Sequence, residues 1–249
     1  MSYFPFTIVL SASVPSGERG ESYEQDFVKI KNAQVQIEEA IIGLSRNIFQ
    51  KNGRIIFGGH PSISPLVAMV AGEFGGRKKG AENLSRNQQE QKPIMIFQSR
   101  AFQKVIPADT TALLNQADST VVWTDAADGE EFNPALKGQE QCLQSLALMR
   151  EQMMMEDVDA LVCMGGMKGV EREFELFRTM HPRKPVYILE STGGASRILA
   201  ENAANKEMVR VIDQNIKQNK EKTDERFELI PYAYLTAKII ADLAERRDR

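Results

Sequence analysis

The sequence predicts a Rossmann-like α/β fold in three layers, a mostly parallel sheet with helices on both faces. Short apolar runs alternate along the 249 residues with helical patterns of about ten residues or more, which implies right-handed crossovers between parallel strands. Three of the runs end in paired glycines, Gly58-Gly59, Gly165-Gly166 and Gly193-Gly194. Turns that follow parallel strands gather on one edge of the sheet, where ligands bind in open α/β folds. Length and composition agree, since 42% apolar and 26% charged residues suit a sizeable folded core.

Residues 6–10 (Phe-Thr-Ile-Val-Leu) read as a buried strand running into a small-residue loop over 11–17, where Ser11 and Ser13 are candidate ligand contacts. A long helix follows over 24–50, with Ile37, Ile41, Leu44 and Ile48 on one side. The second strand, 54–57, ends in Gly58-Gly59-His60-Pro61. The next helix starts with Ser64 as N-cap and Pro65 at its first position, and it carries residues 66–74. Residues 75–92 have almost no apolar content and read as a solvated surface loop or a polar helix end. The competing reading has Arg77, Lys78 and Lys79 reaching an anionic ligand.

Strands follow at 93–97 and 120–124, then an acidic turn over 125–133 and a long helix from 134 to about 156. The fifth strand covers 161–164 and the sixth 184–189. The sixth ends in a loop over 191–196 containing Thr192 and Gly193, with a helix over 197–204 behind it. Residues 213–228 are strongly charged, a solvated helix or linker. Residues 231–247 are amphipathic, with Leu235, Ile239, Ile240 and Leu243 together. The chain therefore divides into a domain over 1–205 and a helical extension over 206–249 packed on it.

The net charge of −3 argues against a dedicated nucleic-acid binder, which would carry a basic excess. No apolar run approaches the ~20 residues that span a bilayer, and the N-terminus carries no secretion signal. Cys142 and Cys163 sit in apolar patterns at a spacing unlike a metal site. They read as reduced thiols of a cytoplasmic protein, with no metal or cofactor expected.

The central stretch is 158–177, an apolar run, a glycine turn (Gly165, Gly166, Lys168, Gly169) and at once an amphipathic helix. A helix N-terminus after such a turn offers unpaired N–H groups and a positive dipole end, so it can cradle a phosphate. On a helical wheel Val170, Phe174 and Phe177 fall together, with Leu176 and Met180 closing the same arc. Glu171, Arg172, Glu175 and Arg178 take the solvated face. Glu173 lies inside the apolar arc. A carboxylate there either bends out to solvent or is aimed at a ligand over the turn.

Arg150 breaks its pattern in the same way, in the middle of an arc of Leu143, Leu146, Ala147, Met153 and Met154. Its guanidinium cannot shed its charge and must find an anion. That anion is an acid of the chain, Glu173 among the candidates, or a ligand phosphate, unless the stem is buried and the head reaches solvent. His60 either contacts a phosphate or caps its own turn. His181, before Pro182, suggests nothing catalytic.

The run Met149-Arg150, Met154, Asp159-Ala160, Gly165-Gly166, Gly169 and Glu173 resembles the LOG-type nucleotide phosphoribohydrolases and the wider SLOG superfamily, over roughly residues 6–205. Arg150 keeps the family's interval to Asp159, and Glu173 its interval to Gly169. The resemblance implies a Rossmannoid nucleotide-binding domain in which Arg150 and Glu173 are the catalytic pair of the enzymes, and members commonly form oligomers. Met164 replaces the family's Pro and Val170 its Thr, one residue is added between Gly166 and Gly169, and Glu151 replaces a Lys. These departures shift the expectation from catalysis toward binding.

Three functions are therefore carried forward. The first is a sensor of an ADP-ribose-like nucleotide signal in a bacterial stress or antiphage system, acting as a homo-oligomer with an effector protein. The second is an N-glycosidase acting on a nucleoside 5′-monophosphate, with Glu173 engaging ribose or assisting water and Arg150 holding phosphate. The third is a scaffold working through its C-terminal helix. Neither nucleic acid nor membrane is an expected partner.

Overall fold

In the computed structural model, residues 4–15, 23, 32–74, 92–106, 111, 119–136, 139–203, 206–214 and 230–247 are described. Seven strands form one sheet in the order β4-β3-β2-β1-β5-β6-β7, and every adjacent pair is parallel. They are β1 (Thr7–Ser13), β2 (Arg54–Gly58), β3 (Ile94–Ser99), β4 (Ser119–Thr124), β5 (Ala160–Gly165), β6 (Val186–Leu189) and β7 (Val209–Val211). The helices are α1 (Ala33–Gln50), α2 (Ser64–Phe74), α3 (Leu143–Met154), α4 (Lys168–Met180), α5 (Gly194–Ala203) and α6 (Tyr232–Arg247).

Strands buried on both faces must be apolar at successive positions, and the central ones are. Ile8 and Leu10 of β1 point into one core with Ile55, Phe57 and Met164. That core is covered by Ile37, Ile41, Leu44 and Ile48 of α1, Val67 and Val70 of α2, and Leu235, Ile239, Ile240 and Leu243 of α6. Val9, between them in the pleat, points into the opposite core with Ile56, Leu161, Cys163 and Ile188. Met149 and Met153 of α3, Phe174 and Phe177 of α4 and Leu199 of α5 cover that side.

Chain direction explains the two layers. From β1 the strands progress one way across the sheet, and from β5 they progress the other way. Right-handed crossovers then put α1 and α2 on one face and α4 and α5 on the other. The order reverses between β1 and β5, so their carboxyl ends form the topological switch point, the place where open α/β folds set their ligand crevice. No helix among the described residues is long and apolar enough to cross a membrane.

Several sequence expectations change. The helix over 134–156 is two pieces, a 3-10 turn at Pro134–Leu136 and then α3. Cys142 precedes α3 in a left-handed conformation (φ 52), and the Gln141 amide bonds the Asn133 and Leu136 carbonyls, closing the chain into a bend. The apolar arc of α3 is rotated from the expected one. Ser145 turns inward, accepting from the Ala127 N–H and donating to Glu130 Oε2. Leu143 (41% exposed) and Ala147 consequently face outward, while Met149, Met153 and Met154 are buried. The region after 206 is not purely helical, because β7 adds an edge strand to the sheet. Ser64 does not cap α2 forward; its hydroxyl accepts from the His60 N–H behind it. The expected solvated stretch at 75–92 apart from Lys92, the charged helix or linker at 213–228 apart from Asp213 and Gln214, and the first part of the helix over 24–50 lie outside the described residues, while Asp213 is buried and not solvated.

Candidate functional site

The crevice between β1 and β5 is shaped by the glycine turn. Gly165 (φ +57) and Gly166 (φ +87) are left-handed, a region that side chains disfavour. A Cβ on Gly166 would lie 2.2 Å from Val170 Cγ2, and one on Gly165 would lie 2.4 Å from Ile37 Cδ1 and 2.9 Å from the Ser13 carbonyl. All four backbone groups of the pair are bonded. The Gly165 N–H donates to Thr192 Oγ1 at 2.7 Å, and the Gly166 N–H to the Ser13 carbonyl at 2.7 Å. The Gly165 carbonyl accepts from Ser196 Oγ at 3.0 Å, and the Gly166 carbonyl from the Ala195 N–H at 2.9 Å. Both N–H groups of the pair are already taken by these bonds, so the pair offers no backbone donor of its own.

Donors come instead from α4, which starts two residues later. Met167 precedes it, and its side chain makes no capping hydrogen bond. The N-terminus of α3 differs. The Glu130 carboxylate accepts from the N–H groups of Gln144 (3.1 Å) and Ser145 (2.7 Å) and from the Ser145 hydroxyl, which holds it below the usual carboxylate range. One helix end carries its own anion, and the other lacks a side-chain cap from its N-cap residue.

Arg150 and Glu173 meet beside the start of α4. Arg150 Nε donates to Glu173 Oε1 at 3.2 Å, with side chains only 11% and 12% exposed. Ser11 Oγ donates to Glu173 Oε2 at 2.5 Å. Arg150 uses Nε alone: no described residue accepts from its Nη groups. Nη2 lies 3.2 Å from where a Cβ of Gly169 would stand, so glycine at 169 lets the guanidinium rest on the first turn of α4.

The other expected residues divide. Ser13 sits at the crevice, half-buried, bonded through its carbonyl to Gly166. Gly58 and Gly59 end β2 on the same edge, and a Cβ on Gly58 would meet Met149 Cε at 3.1 Å. His60 Nδ1 accepts from the Ser62 N–H at 3.2 Å, which caps its own turn. Lys168 is exposed at the mouth and donates to Glu171 Oε2 at 2.7 Å, while Tyr23 donates to Glu171 Oε1 at 2.6 Å.

Two further expected residues are buried. Ser11 is wholly buried within β1, and its hydroxyl serves Glu173. Thr192 is also wholly buried, its hydroxyl donating to the Leu189 carbonyl and accepting from the Gly165 N–H. Gly193 (φ +71) and Gly194 (φ +57) turn the chain so that α5 can bond the glycine turn from outside.

Ser196, Ala195 and Glu130 were not singled out by sequence reasoning. Nothing local marks them, because their partners are backbone groups far along the chain. The cleft between α4 and α5, a cavity of ≈ 460 Å³, opens beside Lys168 and is lined by Arg172, Phe174, Leu199 and Lys206. A second cavity, of ≈ 640 Å³ among Arg183, Lys184, Arg210 and Arg246, contains no residue of the turn. No group of three or more His, Cys, Asp or Glu able to hold a metal ion occurs among the described residues.

Fold and crevice together define a Rossmann-like three-layer α/β protein with a glycine turn and a helix N-terminus at the switch point of an all-parallel sheet. The chain belongs to the SLOG cluster3 family, whose model matches residues 27–218. The X-ray structure of TM1055, a Northeast Structural Genomics Consortium target, is similar with a TM-score of 0.45 at 14% identity, covering 87% of this chain and 99% of that one. No curated protein matches the chain.

Proposed function

We propose that this protein binds a nucleotide or a nucleotide-derived, ADP-ribose-like signal in the β1–β5 crevice, as a sensor in a bacterial stress or antiphage system. Membership of the SLOG cluster3 family points to a nucleotide-related function. One observation carries the specific reading: the Nη donors of a largely buried arginine have no acceptor among the described residues and lie against the first turn of α4, whose N-cap side chain does not cap it. Two independent sources of positive potential meet there, a combination that a phosphate would satisfy.

Glu173 stands beside that position with its carboxylate fixed by Arg150 and Ser11. A carboxylate so held is an acceptor for hydroxyl donors, and ribose supplies them. Gly58, Gly59 and His60 border the same edge from β2, and Lys168 borders it from α4. The sensor reading implies a homo-oligomer and an effector protein that responds to the bound state.

A panel of nucleoside monophosphates, dinucleotides and ADP-ribose, followed by thermal shift and by chromatography for released base, tests this. Saturable stabilisation with intact ligand recovered is the result expected. Base release that disappears in Glu173→Gln would replace the sensor with the phosphoribohydrolase reading. The absence of any shift across the panel would leave the crevice as scaffold.

A further inference from the structure

The glycine turn is held from outside. Of its four backbone bonds, three are made by residues 192–196, through Thr192 Oγ1, the Ala195 N–H and Ser196 Oγ. The shape of the crevice therefore depends on where the loop after β6 sits. That loop begins as a 3-10 turn, Glu190–Thr192, and what anchors this turn is the region after residue 206.

Asp213, two residues beyond β7, is 2% exposed. Its Oδ1 accepts from the Glu190 N–H at 2.9 Å and its Oδ2 from the Ser191 N–H at 2.7 Å. The carboxylate thus occupies the donor end of the turn as an internal anion. Tyr232, the first residue of α6 and 4% exposed, meets Ser191 Oγ at 3.0 Å through its hydroxyl and donates to Gln36 Oε1 of α1 at 3.0 Å. Ser191 is gripped by backbone and side chain, from two separate segments of the C-terminal region. The connection runs from Asp213 and Tyr232 to Ser191, then to Thr192, then to Gly165. Tyr232 lies beyond residue 218, where the family match ends.

The geometry points to Asp213 and Tyr232 as positioning residues of the crevice. Without touching the ligand, they fix the 190–196 loop and through it the glycine turn and the start of α4. The C-terminal region is then part of the binding machinery and not an appendage packed on a finished domain. The claim about the turn stands on contacts alone; the consequence for nucleotide affinity rests on the proposed function.

Hydrogen exchange on the full chain reads the turn directly, because the Gly165 amide is protected by Thr192. In Asp213→Asn one of two charge-assisted bonds is lost, and exchange of peptides covering 163–169 should accelerate about tenfold relative to peptides of β2. Tyr232→Phe should accelerate the same peptides by a smaller factor, roughly threefold, and it guards against a misfolded Asp213 variant. Titration with ADP-ribose should show its Kd raised in both variants in the same order. Unchanged exchange at 163–169 in both folded variants overturns the proposal, even if both melt earlier, since a merely structural role would loosen the α6 contact alone. If the wild type binds no ADP-ribose while the exchange changes appear, the turn is positioned as inferred and the nucleotide assignment fails.

Discussion

Glu173 and Arg150 would each be costly on the buried-facing sides of their helices, and each is tolerable because of the other. Removing one partner of a largely buried pair leaves an uncompensated charge, so Arg150→Ala should lower stability by roughly 3 kcal/mol, measured by urea unfolding. An unaltered midpoint would mean that the guanidinium contributes nothing to the fold. Gly166 is under a different constraint, steric and not electrostatic. Gly166→Ala forces a left-handed alanine into Val170 and should destabilise by at least ~2 kcal/mol. The two misplaced charges were legible in the sequence because helical periodicity places a residue on a face without knowledge of the partner. The hidden role of Ser11 was not. Whether a strand-end hydroxyl faces ligand or a buried carboxylate depends on β1 extending to Ser13, three residues into what reads as a loop.

At the scale of elements, α6 is docked by more than its apolar stripe. Tyr187 of β6, wholly buried, donates to Asp242, which also accepts from Arg246 Nε at 2.8 Å. Burial raises the Asp242 carboxyl, but the hydrogen bonds from Arg246 and Tyr187 outweigh it and hold it below the ordinary range. A carboxyl depressed on folding stabilises the native state above its unfolded pKa of about 4, and that contribution is lost as pH falls through the folded value. Acid titration should therefore melt the wild type more steeply below about pH 4 than Asp242→Asn, followed by helical circular dichroism; parallel curves would exclude the linkage. The amphipathic pattern of 231–247 predicted α6 correctly in place and face. The pattern of α3 failed because Ser145, polar and nominally solvent-facing, is drawn inward by Glu130 and Ala127. Strand β7 was missed because Val209–Val211 is three residues long and is set by pairing with β6, not by its own periodicity. The single acid after that Val-Arg-Val-Ile run was the available sign of Asp213.

For the whole molecule, alternation of strands and helices was enough to specify a parallel α/β sheet, since crossover handedness leaves few arrangements. Strand order could not be read, and with it the crevice between β1 and β5. The candidate site emerges only from that strand order, which brings Ser11, Arg150 and Glu173 together. Calorimetric titration of ADP-ribose into the wild type and into Arg150→Lys tests the central claim most directly. Lysine keeps a positive charge beside Glu173 but removes the forked Nη donors. The wild type should bind saturably, with the ligand recovered intact, and the variant at least about tenfold more weakly. Equal affinity in the two, or no binding to a folded wild type, would contradict a phosphate seat between Arg150 and the start of α4.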